Sequence, residues 1–317
     1  MVPYPRSWFA AWVDSAYGSG GFWSDHLPRQ HFRTASTTGD VLARMVAALL
    51  DRQPEIEAVV DVGAGTGELL TRLQVLRPDL GLTGIDLRSR PTDLPAGIGW
   101  ATDLWDVRRH AWAHGPAADQ LTGAGVPTLV IAAEWLDDLP CRVAAYGAAG
   151  WHELGVDREG HEQRGALLAD PERQWAEDWW PGGHRAEIGS TRDRAWAHLV
   201  EAARACGGSA LLIDYGHLRD SRPNSGSLTG YRAGRQVQPL PTSAANVTAH
   251  VAVDALRSAC ERVGARTLLC RTQAEVVDEL LPATESDDPV TDLVERSRRA
   301  AMASPAVWGS QWWLWQA

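Results

Sequence analysis

Cysteine is scarce in this sequence of 317 residues. The four that occur are Cys141, Cys206, Cys260 and Cys270. They form no C-x-x-C pair and show no spacing that is typical of metal ligands. This usage argues against a disulfide framework and predicts reduced, mostly buried thiols, no metal site and a cytoplasmic location.

Long apolar runs and an excess of basic residues are also missing. No run approaches the roughly 20 apolar residues that a membrane-spanning helix needs. The first eight residues lack the basic stretch and apolar core of a signal peptide. The formal net charge is −10, and phosphate binding requires a basic face. We therefore expect neither a membrane nor a nucleic acid as partner, whereas a cationic substrate is compatible with the charge.

Aromatic residues are unevenly represented, with 16 tryptophans against 3 phenylalanines. Adjacent pairs such as Trp179-Trp180 and Trp312-Trp313 are large enough to line a pocket. Large aromatic side chains more commonly fill cores and surface layers. We therefore expect packing to account for most of them.

A glycine-rich turn is the most informative feature that is present. It reads Val59-Val60-Asp61-Val62-Gly63-Ala64-Gly65-Thr66-Gly67-Glu68-Leu69-Leu70. The pattern is typical of a buried strand, a turn and the start of a helix. Glycines remove Cβ atoms where the backbone bends sharply and approaches a ligand, and a helix start presents free N–H groups. This corner therefore predicts a nucleotide or nucleotide-like cofactor.

The spacing of the glycines narrows the choice of cofactor. A dinucleotide fold uses G-x-G-x-x-G, whereas this turn has G-x-G-x-G with Asp61 and Glu68 at its two ends. No P-loop motif occurs in the chain. Carboxylates at a helix start would repel a diphosphate but suit a ligand with an ammonium and a sulfonium group. The turn therefore predicts S-adenosyl-L-methionine (SAM); the alternative is an ordinary αβ turn with a capping acid.

A second acidic cue follows about 20 residues later. Asp86 ends the next apolar stretch, where a strand-end carboxylate reaches ribose hydroxyls. We expect Asp61 near the ammonium of SAM, Asp103 near its adenine amino group and Leu104 against the ring. The predicted cofactor-binding residues are Asp61, Gly63, Ala64, Gly65, Gly67, Asp86, Leu87, Asp103 and Leu104.

Apolar strands alternate with helical patterns along the chain. The predicted strands cover residues 58–62, 80–86, 98–102, 128–133, 209–214, 266–270 and 311–315. The predicted helices cover residues 40–50, 67–76, about 190–206 and 273–281. Continuous apolar strands separated by helices predict the α/β class, with a Rossmann-like parallel sheet covered on both faces.

The domain organisation follows from the same patterns. We expect an N-terminal helical and loop segment at 1–55 and one domain at 56–317, with irregular insertions near 145–188 and 216–245. The second insertion is too long for a plain connection. It predicts a functional loop or lid, and the alternative is a disordered surface loop.

Five further segments resemble one family in that family's order. They are 133–140 (family pattern N-E-x-x-D-A-L-P, here Ala133-Glu134-Trp135-Leu136-Asp137-Asp138-Leu139-Pro140), Asp214-Tyr215-Gly216 (D-Y-G), 227–232 (T-x-R-G-Y), Asn246-Val247-Thr248-Ala249-His250-Val251 (D-x-T-A-H-V) and Thr272-Gln273 (T-Q). The chain resembles the MidA-like family of class I SAM-dependent methyltransferases over roughly residues 30–315. A mitochondrial member is a complex I assembly factor that methylates arginine on a partner subunit.

The sequence departs from the family pattern mainly outside the cofactor corner. A phenylalanine-x-threonine-serine-proline element is kept only in part, at residues 32–36. The asparagine before Glu134 is Ala133, and two acids of the later run fall at Asn246 and Ala252. These changes leave the methyl acceptor open.

The candidate catalytic residues lie at two strand ends. Glu134 follows the fourth strand, where open α/β sheets bind ligands, and a carboxylate there can bind a guanidinium in a bidentate manner. Its alternative role is a capping or salt-bridge carboxylate. Asp137 is a weaker candidate, since it can simply cap or start a helix. His250 is expected to be a core or hydrogen-bonding histidine and not a catalytic base. The resemblance implies that Asp214 and Tyr215 shape the acceptor side.

Three functions fit these residues. Methyl transfer mainly requires that donor and acceptor are aligned and water is excluded, so no acid–base dyad is needed. The resemblance implies a protein arginine methyltransferase. The altered positions also fit a small-molecule methyltransferase, and a non-catalytic SAM-binding assembly factor is the third alternative. The acceptor is therefore expected to be a protein or a small molecule.

Overall fold

The computed structural model describes residues 5–26, 39–123, 125–281 and 288–317. The partial family element at 32–36 lies outside this part of the chain. The helices are α1 (Trp8–Tyr17), α2 (Phe22–Asp25), α3 (Val41–Leu50), α4 (Glu68–Leu76), α5 (Pro116–Gly123), α6 (Glu172–Trp179), α7 (Ser190–Ala205), α8 (Val253–Glu261), α9 (Gln273–Leu280) and α10 (Pro289–Ala303). None of these helices is long and apolar enough to cross a membrane.

The strands fall into a large sheet, a second sheet and smaller pieces. They are β1 (Arg6–Ser7), β2 (Ala58–Val62), β3 (Gly81–Asp86), β4 (Ile98–Thr102), β5 (Trp105–Asp106), β6 (Ala111–Trp112), β7 (Thr128–Ala133), β8 (Arg142–Gly147), β9 (Gly150–Val156), β10 (Glu162–Leu167), β11 (Arg185–Ile188), β12 (Ser209–His217), β13 (Thr229–Arg232), β14 (Arg235–Val237), β15 (Asn246–Thr248), β16 (Val251–Ala252), β17 (Thr267–Thr272) and β18 (Gln311–Gln316).

The large sheet has the strand order β17-β18-β12-β7-β2-β3-β4, with β16 paired to β12. Strands β4, β3, β2, β7 and β12 run parallel to one another. Strand β18 pairs antiparallel with both β12 and β17. The predicted α/β class and parallel sheet are therefore confirmed, and the antiparallel pair lies at one edge.

The core covers both faces of this sheet because successive strand residues point to opposite sides. Val59 and Ile131 belong to one apolar cluster together with helices α3, α4 and α9. Val60 and Val130 belong to another, with α5, α7 and α8. Strands that are buried on both faces need the near-continuous apolar runs that the sequence shows.

The strand order reverses between β2 and β7. From β2 the chain proceeds through β3 to β4 in one direction, and from β7 to β12 in the other. The connections diverge at this point and leave a crevice beyond the carboxyl ends of the strands, where open α/β sheets bind ligands. The glycine turn follows β2 and Glu134 follows β7, so both border this crevice.

The stretch 145–188 is not irregular, contrary to the sequence-based expectation. Strands β8 to β11 form an antiparallel sheet with β1, in the order β1-β9-β8-β11, and β10 pairs with β9. Helix α1 packs on it through Trp8 and Trp12 against Val143 and Leu154. The residues of β10 are exposed, so polar side chains and glycine obscure the apolar alternation that would otherwise identify strands.

The stretch 216–245 also contains regular structure. Strand β12 continues to His217, a 3₁₀ turn spans Arg219–Ser221, and β13 pairs with both β14 and β15. These strands have only three or four residues, which is too short for a periodicity signal. The role of this stretch as a lid remains a prediction.

Most tryptophans fill the core, as expected. Trp8, Trp12, Trp180, Trp196 and Trp313 are almost completely buried. Their indole nitrogens find partners in several cases: Trp313 donates to the Gln273 side chain at 3.1 Å, and Trp196 donates to Gln316 at 2.7 Å. Such bonds remove the cost of burying an indole N–H.

Candidate cofactor and acceptor site

A cavity occupies the crevice between β2 and β7, and its empty space is about 1060 Å³ when counted to the open mouth. Most of the predicted cofactor-binding residues line it: Asp61, Gly63, Ala64, Gly65, Asp86, Leu87, Asp103 and Leu104. Gly67 lies just outside the lining and is the N-cap residue of α4. The structure therefore brings the residues predicted from three separate strand ends to one cavity.

The glycine turn has the backbone that its sequence predicts. Gly63, Gly65 and Gly67 have φ angles of 73°, 64° and 81°, in the left-handed region that favours glycine. A Cβ atom at Gly63 would lie 2.6 Å from Cδ1 of Trp135. At Gly65, a Cβ atom would find no atom closer than Oε2 of Glu68 at 3.9 Å. The open space beside Gly65 is thus where a ligand can approach the backbone.

Asp61 is a buried carboxyl that faces the cavity. Its side chain is only 4% exposed, and no donor among the described residues hydrogen-bonds to it. Burial, together with the charges of Asp86 and Glu68, raises the pKa of Asp61 to about 8. A buried acid without a partner is stabilised by a cation, so Asp61 fits the ammonium group of SAM.

Asp86 already has partners in this structure. Its Oδ2 accepts from the Gly65 N–H at 2.9 Å. Its Oδ1 accepts from the Arg88 N–H and the Arg88 Nε at 3.0 Å each, and Arg88 Nη2 lies 3.3 Å from Oδ2. Ribose hydroxyls would have to compete with the Arg88 guanidinium for this carboxylate. No sequence motif predicted this ion pair.

Replacing Asp86 by alanine should weaken SAM binding at least about tenfold, because a charged hydrogen-bond partner is lost. Arg88→Ala is the matched control, because it removes the guanidinium that competes with the ribose and keeps the Asp86 carboxylate. The SAM affinity of this variant should be equal to or higher than that of the unmodified protein. Isothermal titration calorimetry measures both. Unchanged affinity in Asp86→Ala would remove Asp86 from the cofactor site.

Asp103 holds the backbone at the far end of the cavity. Its Oδ1 accepts from the N–H groups of Leu104 and His114 at 2.8 and 3.0 Å, and its Oδ2 accepts from Ala117 at 3.1 Å. Leu104 and Trp105 line the cavity here. The apolar lining suits a flat ring. The bond from Asp103 to adenine remains a prediction, and it would use a lone pair that the three backbone N–H groups leave over.

Glu134 lines the cavity and has an uncommon backbone conformation. It follows β7 directly and has a φ of 51°, a left-handed conformation that is uncommon outside glycine. Its N–H donates to the Ile213 carbonyl at 2.8 Å. Such strain at a cavity wall is a reason to expect function there.

The other predicted catalytic residues lie behind Glu134 and outside the cavity lining. Asp214 is fully buried, and its Oδ2 accepts from the N–H groups of Leu136 and Asp137 at 3.0 and 3.2 Å. Burial raises the pKa of Asp214 above its usual range. The Asp137 carboxylate accepts from the Thr248 hydroxyl at 2.9 Å. Both acids therefore hold the turn that presents Glu134.

Tyr215 is also set back from the cavity. Its ring stacks on His250 with a centroid separation of 5.8 Å, and its hydroxyl donates to the Val307 carbonyl at 3.3 Å. Behind the same turn, the buried Arg192 donates to the carbonyls of Leu139, Asp137 and Ala249 at 2.8–2.9 Å. Arg192 thus holds the backbone behind the Glu134 turn, and a role of Asp214 and Tyr215 on the acceptor side remains a prediction.

Comparison with known protein families identifies the family to which this chain belongs. A family model described as "Putative S-adenosyl-L-methionine-dependent methyltransferase" (Methyltransf_28) matches residues 86–270, more than half of the chain. The chain belongs to this family. The predicted resemblance to MidA-like methyltransferases is thereby confirmed, and so are its assignment as an enzyme and SAM as its methyl donor.

Two solved structures share the fold of this methyltransferase. One is a COG1565 superfamily member from Burkholderia thailandensis bound to S-adenosyl-homocysteine (SAH), with a TM-score of 0.76 and 18% identity; the match covers 98% of this chain and 87% of that one. A native COG1565 superfamily structure from the same organism has a TM-score of 0.73, 19% identity and the same coverage. No curated protein sequence matches this chain.

Several cavity residues of this methyltransferase were missed from the sequence. Tyr17 and Trp23 come from the N-terminal helices, and Trp135 and Asp138 flank the Glu134 turn. The Tyr17 hydroxyl donates to the backbone carbonyl of Asp138 at 3.3 Å. The cluster of glycine and aromatic residues at 17–23 was the available signal, but nothing in it indicated which part of the sheet it would cover.

Proposed function

We propose that this methyltransferase transfers the methyl group of SAM to a guanidinium nitrogen of arginine in a protein. Glu134 carries the proposal. It lies in the wall of the cavity that contains Asp61 and the glycine turn, at the carboxyl end of a neighbouring strand. A carboxylate there can bind two guanidinium N–H groups and direct one nitrogen towards the methyl group.

The cavity has an apolar part and an acidic part, and the acidic part supports a cationic acceptor. Leu104, Trp105 and Trp112 line the end beside Asp103, where a flat ring fits. Glu134 and Asp138 line the region on the β7 side. When bound, SAM would supply an electrophilic methyl group. As the new C–N bond forms and the C–S bond breaks, SAH leaves and the acceptor nitrogen passes a proton to the Glu134 carboxylate. The residues of the chain hold the acceptor in line and exclude water.

A small-molecule acceptor is the second candidate, and the aromatic wall favours it. Trp112 and Trp135 stack with their ring centroids 6.2 Å apart, and both border the cavity. Aromatic walls commonly bind apolar ligands. We prefer arginine as the acceptor because Trp112 lies beside Asp103 and Leu104, where adenine is expected. This part of the aromatic wall would then contact the cofactor and not the acceptor.

An isotope-labelling experiment tests the proposed acceptor. The enzyme is incubated with heavy-methyl SAM and either a cell lysate or a metabolite extract, with an Asp61→Asn variant as the control for enzyme-dependent labelling. Labelled methylarginine in hydrolysed protein is the expected result. Label confined to metabolites would establish the small-molecule alternative. SAM binding without turnover in either fraction would favour the non-catalytic assembly factor.

We also propose a cytoplasmic location, which the state of the thiols supports. Cys141, Cys206, Cys260 and Cys270 are thiols and not disulfides, and burial raises the pKa of Cys141 to about 11. The Cys141 thiol therefore stays protonated and unreactive at neutral pH. This chemistry suits a reducing compartment.

A further inference from the structure

Asp138 is a buried carboxyl in the cavity that no sequence pattern singled out. Its side chain is 9% exposed and lines the cavity with Glu134. Its Oδ1 accepts from Nδ2 of Asn246 at 2.7 Å. No donor in the described part of the chain bonds to its Oδ2. Asp138 therefore has one oxygen fixed by Asn246 and one that remains for a ligand.

The two members of this hydrogen bond are both departures from the family pattern. In N-E-x-x-D-A-L-P the alanine falls at Asp138, and in D-x-T-A-H-V the first acid falls at Asn246. In this chain the two residues are joined by a hydrogen bond of 2.7 Å. The carboxylate is on Asp138, which lines the cavity, whereas Asn246 is not part of the lining.

We infer that Asp138 is a specificity-determining residue, which binds a cationic nitrogen group of the acceptor together with Glu134 while Asn246 fixes its orientation. The inference rests on the proposed function, because it names a further contact for the same acceptor. It predicts that this enzyme discriminates against a neutral acceptor of the same shape. A site that is built to pair with a charged group leaves a buried acid unpaired when that group is missing.

The surroundings of Asp138 couple its protonation to the charge of the acceptor. Burial and the negative charges of Asp137 and Glu134 raise the pKa of Asp138 well above its usual range, against the opposing effects of Asn246 and Arg192. These effects favour the protonated form of Asp138 as long as no cationic group lies next to it. A guanidinium next to it favours the ionised form. Binding of such a group should consequently release a proton, whereas a neutral urea group should not.

Calorimetry on the SAH-bound enzyme tests the inference. The probes are Nα-acetyl-arginine methylamide and Nα-acetyl-citrulline methylamide, in which a urea replaces the guanidinium. They are titrated at pH 7 in two buffers of different ionisation enthalpy, so that proton release is measured with affinity. The unmodified enzyme should bind the arginine probe at least about tenfold tighter than the citrulline probe. Only the arginine probe should release protons on binding.

Two variants distinguish the effect of the carboxylate charge from the effect of its location at position 138. In Asp138→Asn the preference for the arginine probe should fall at least about fivefold and proton release should disappear, with SAH affinity within about twofold. The double variant Asp138→Ala/Asn246→Asp keeps the net charge and returns the carboxylate to the other side of the contact. Its preference should also fall, and it provides a second measurement if Asp138→Asn folds poorly.

The outcomes distinguish this inference from the proposed function. If both variants keep the full preference and the proton release while Glu134→Gln loses the preference, the role of Asp138 is wrong and the arginine proposal stands. If the unmodified enzyme binds both probes equally, the arginine proposal and the role of Asp138 are overturned together.

Discussion

Replacing Glu134 with glutamine is expected to lower methyl transfer at least about a hundredfold, which is the usual effect of removing one charged contact to a reacting group. Affinity for SAH should stay within about twofold. Glutamine preserves the size of the side chain but removes the charge that pairs with a guanidinium. Single-turnover transfer from labelled SAM and calorimetry with SAH measure the two effects separately.

The control for this change is Glu279→Gln. Glu279 is exposed on α9 and pairs there with Arg52 and Arg271, and it does not line the cavity. The activity of the Glu279→Gln variant should equal that of the unmodified enzyme, because surface ion pairs contribute little to stability. Intact turnover in Glu134→Gln would eliminate the guanidinium contact. A collapse of SAH affinity would instead assign Glu134 to the cofactor.

Replacing Asp61 with asparagine should have two large effects of opposite sign. SAM affinity should fall at least about thirtyfold at pH 8, because the charged partner of the ammonium is lost. The fold should become more stable at the same pH. Burial raises the pKa of Asp61 to about 8 from the 3.8 of an unperturbed group, so a charge is disfavoured at this position.

The pH dependence of stability follows from the direction of that shift. Between about pH 4 and pH 8 the unfolded chain has an ionised Asp61, whereas the folded chain keeps its proton. Stability is therefore lost as the pH rises through this window, and the loss is complete above it. Asparagine cannot ionise and avoids the loss.

Thermal denaturation of the ligand-free protein measures this effect. The Tm of Asp61→Asn should exceed that of the unmodified protein by at least about 3 °C at pH 8, and the two values should converge towards pH 4. The calorimetric SAM titration completes the comparison. A variant that binds SAM normally, or that is less stable at pH 8, would show that Asp61 is not a strained cofactor ligand.

The large sheet and the cofactor corner were predictable because their signals are local. Strand β2 and the glycine turn lie within a dozen consecutive residues, and each glycine of the turn has a positive φ angle that favours glycine. The second sheet was not predictable in the same way. Its strands are partly exposed, so apolar alternation is weak, and its partner α1 comes from a distant part of the chain.

The roles around Glu134 depend on the sheet register, which a single sequence does not specify. Strand β12 pairs in parallel with β7 so that Ile213 lies beside Ala133. This register brings Asp214 under the turn that follows Glu134, where it accepts two backbone N–H groups. The ion pair of Asp86 with Arg88 depends in the same way on side-chain conformation, and no motif indicated it.

A crystal structure of the enzyme with SAH is the decisive test of the proposed site. SAH is expected in the cavity between β2 and β7, with its ammonium group at Asp61 and its sulfur directed towards Glu134. The ribose hydroxyls should bond to Asp86, and the Arg88 guanidinium should have moved off that carboxylate. SAH bound elsewhere, or bound with the Asp86–Arg88 pair intact and Glu134 remote from the sulfur, would show that the proposed site is wrong.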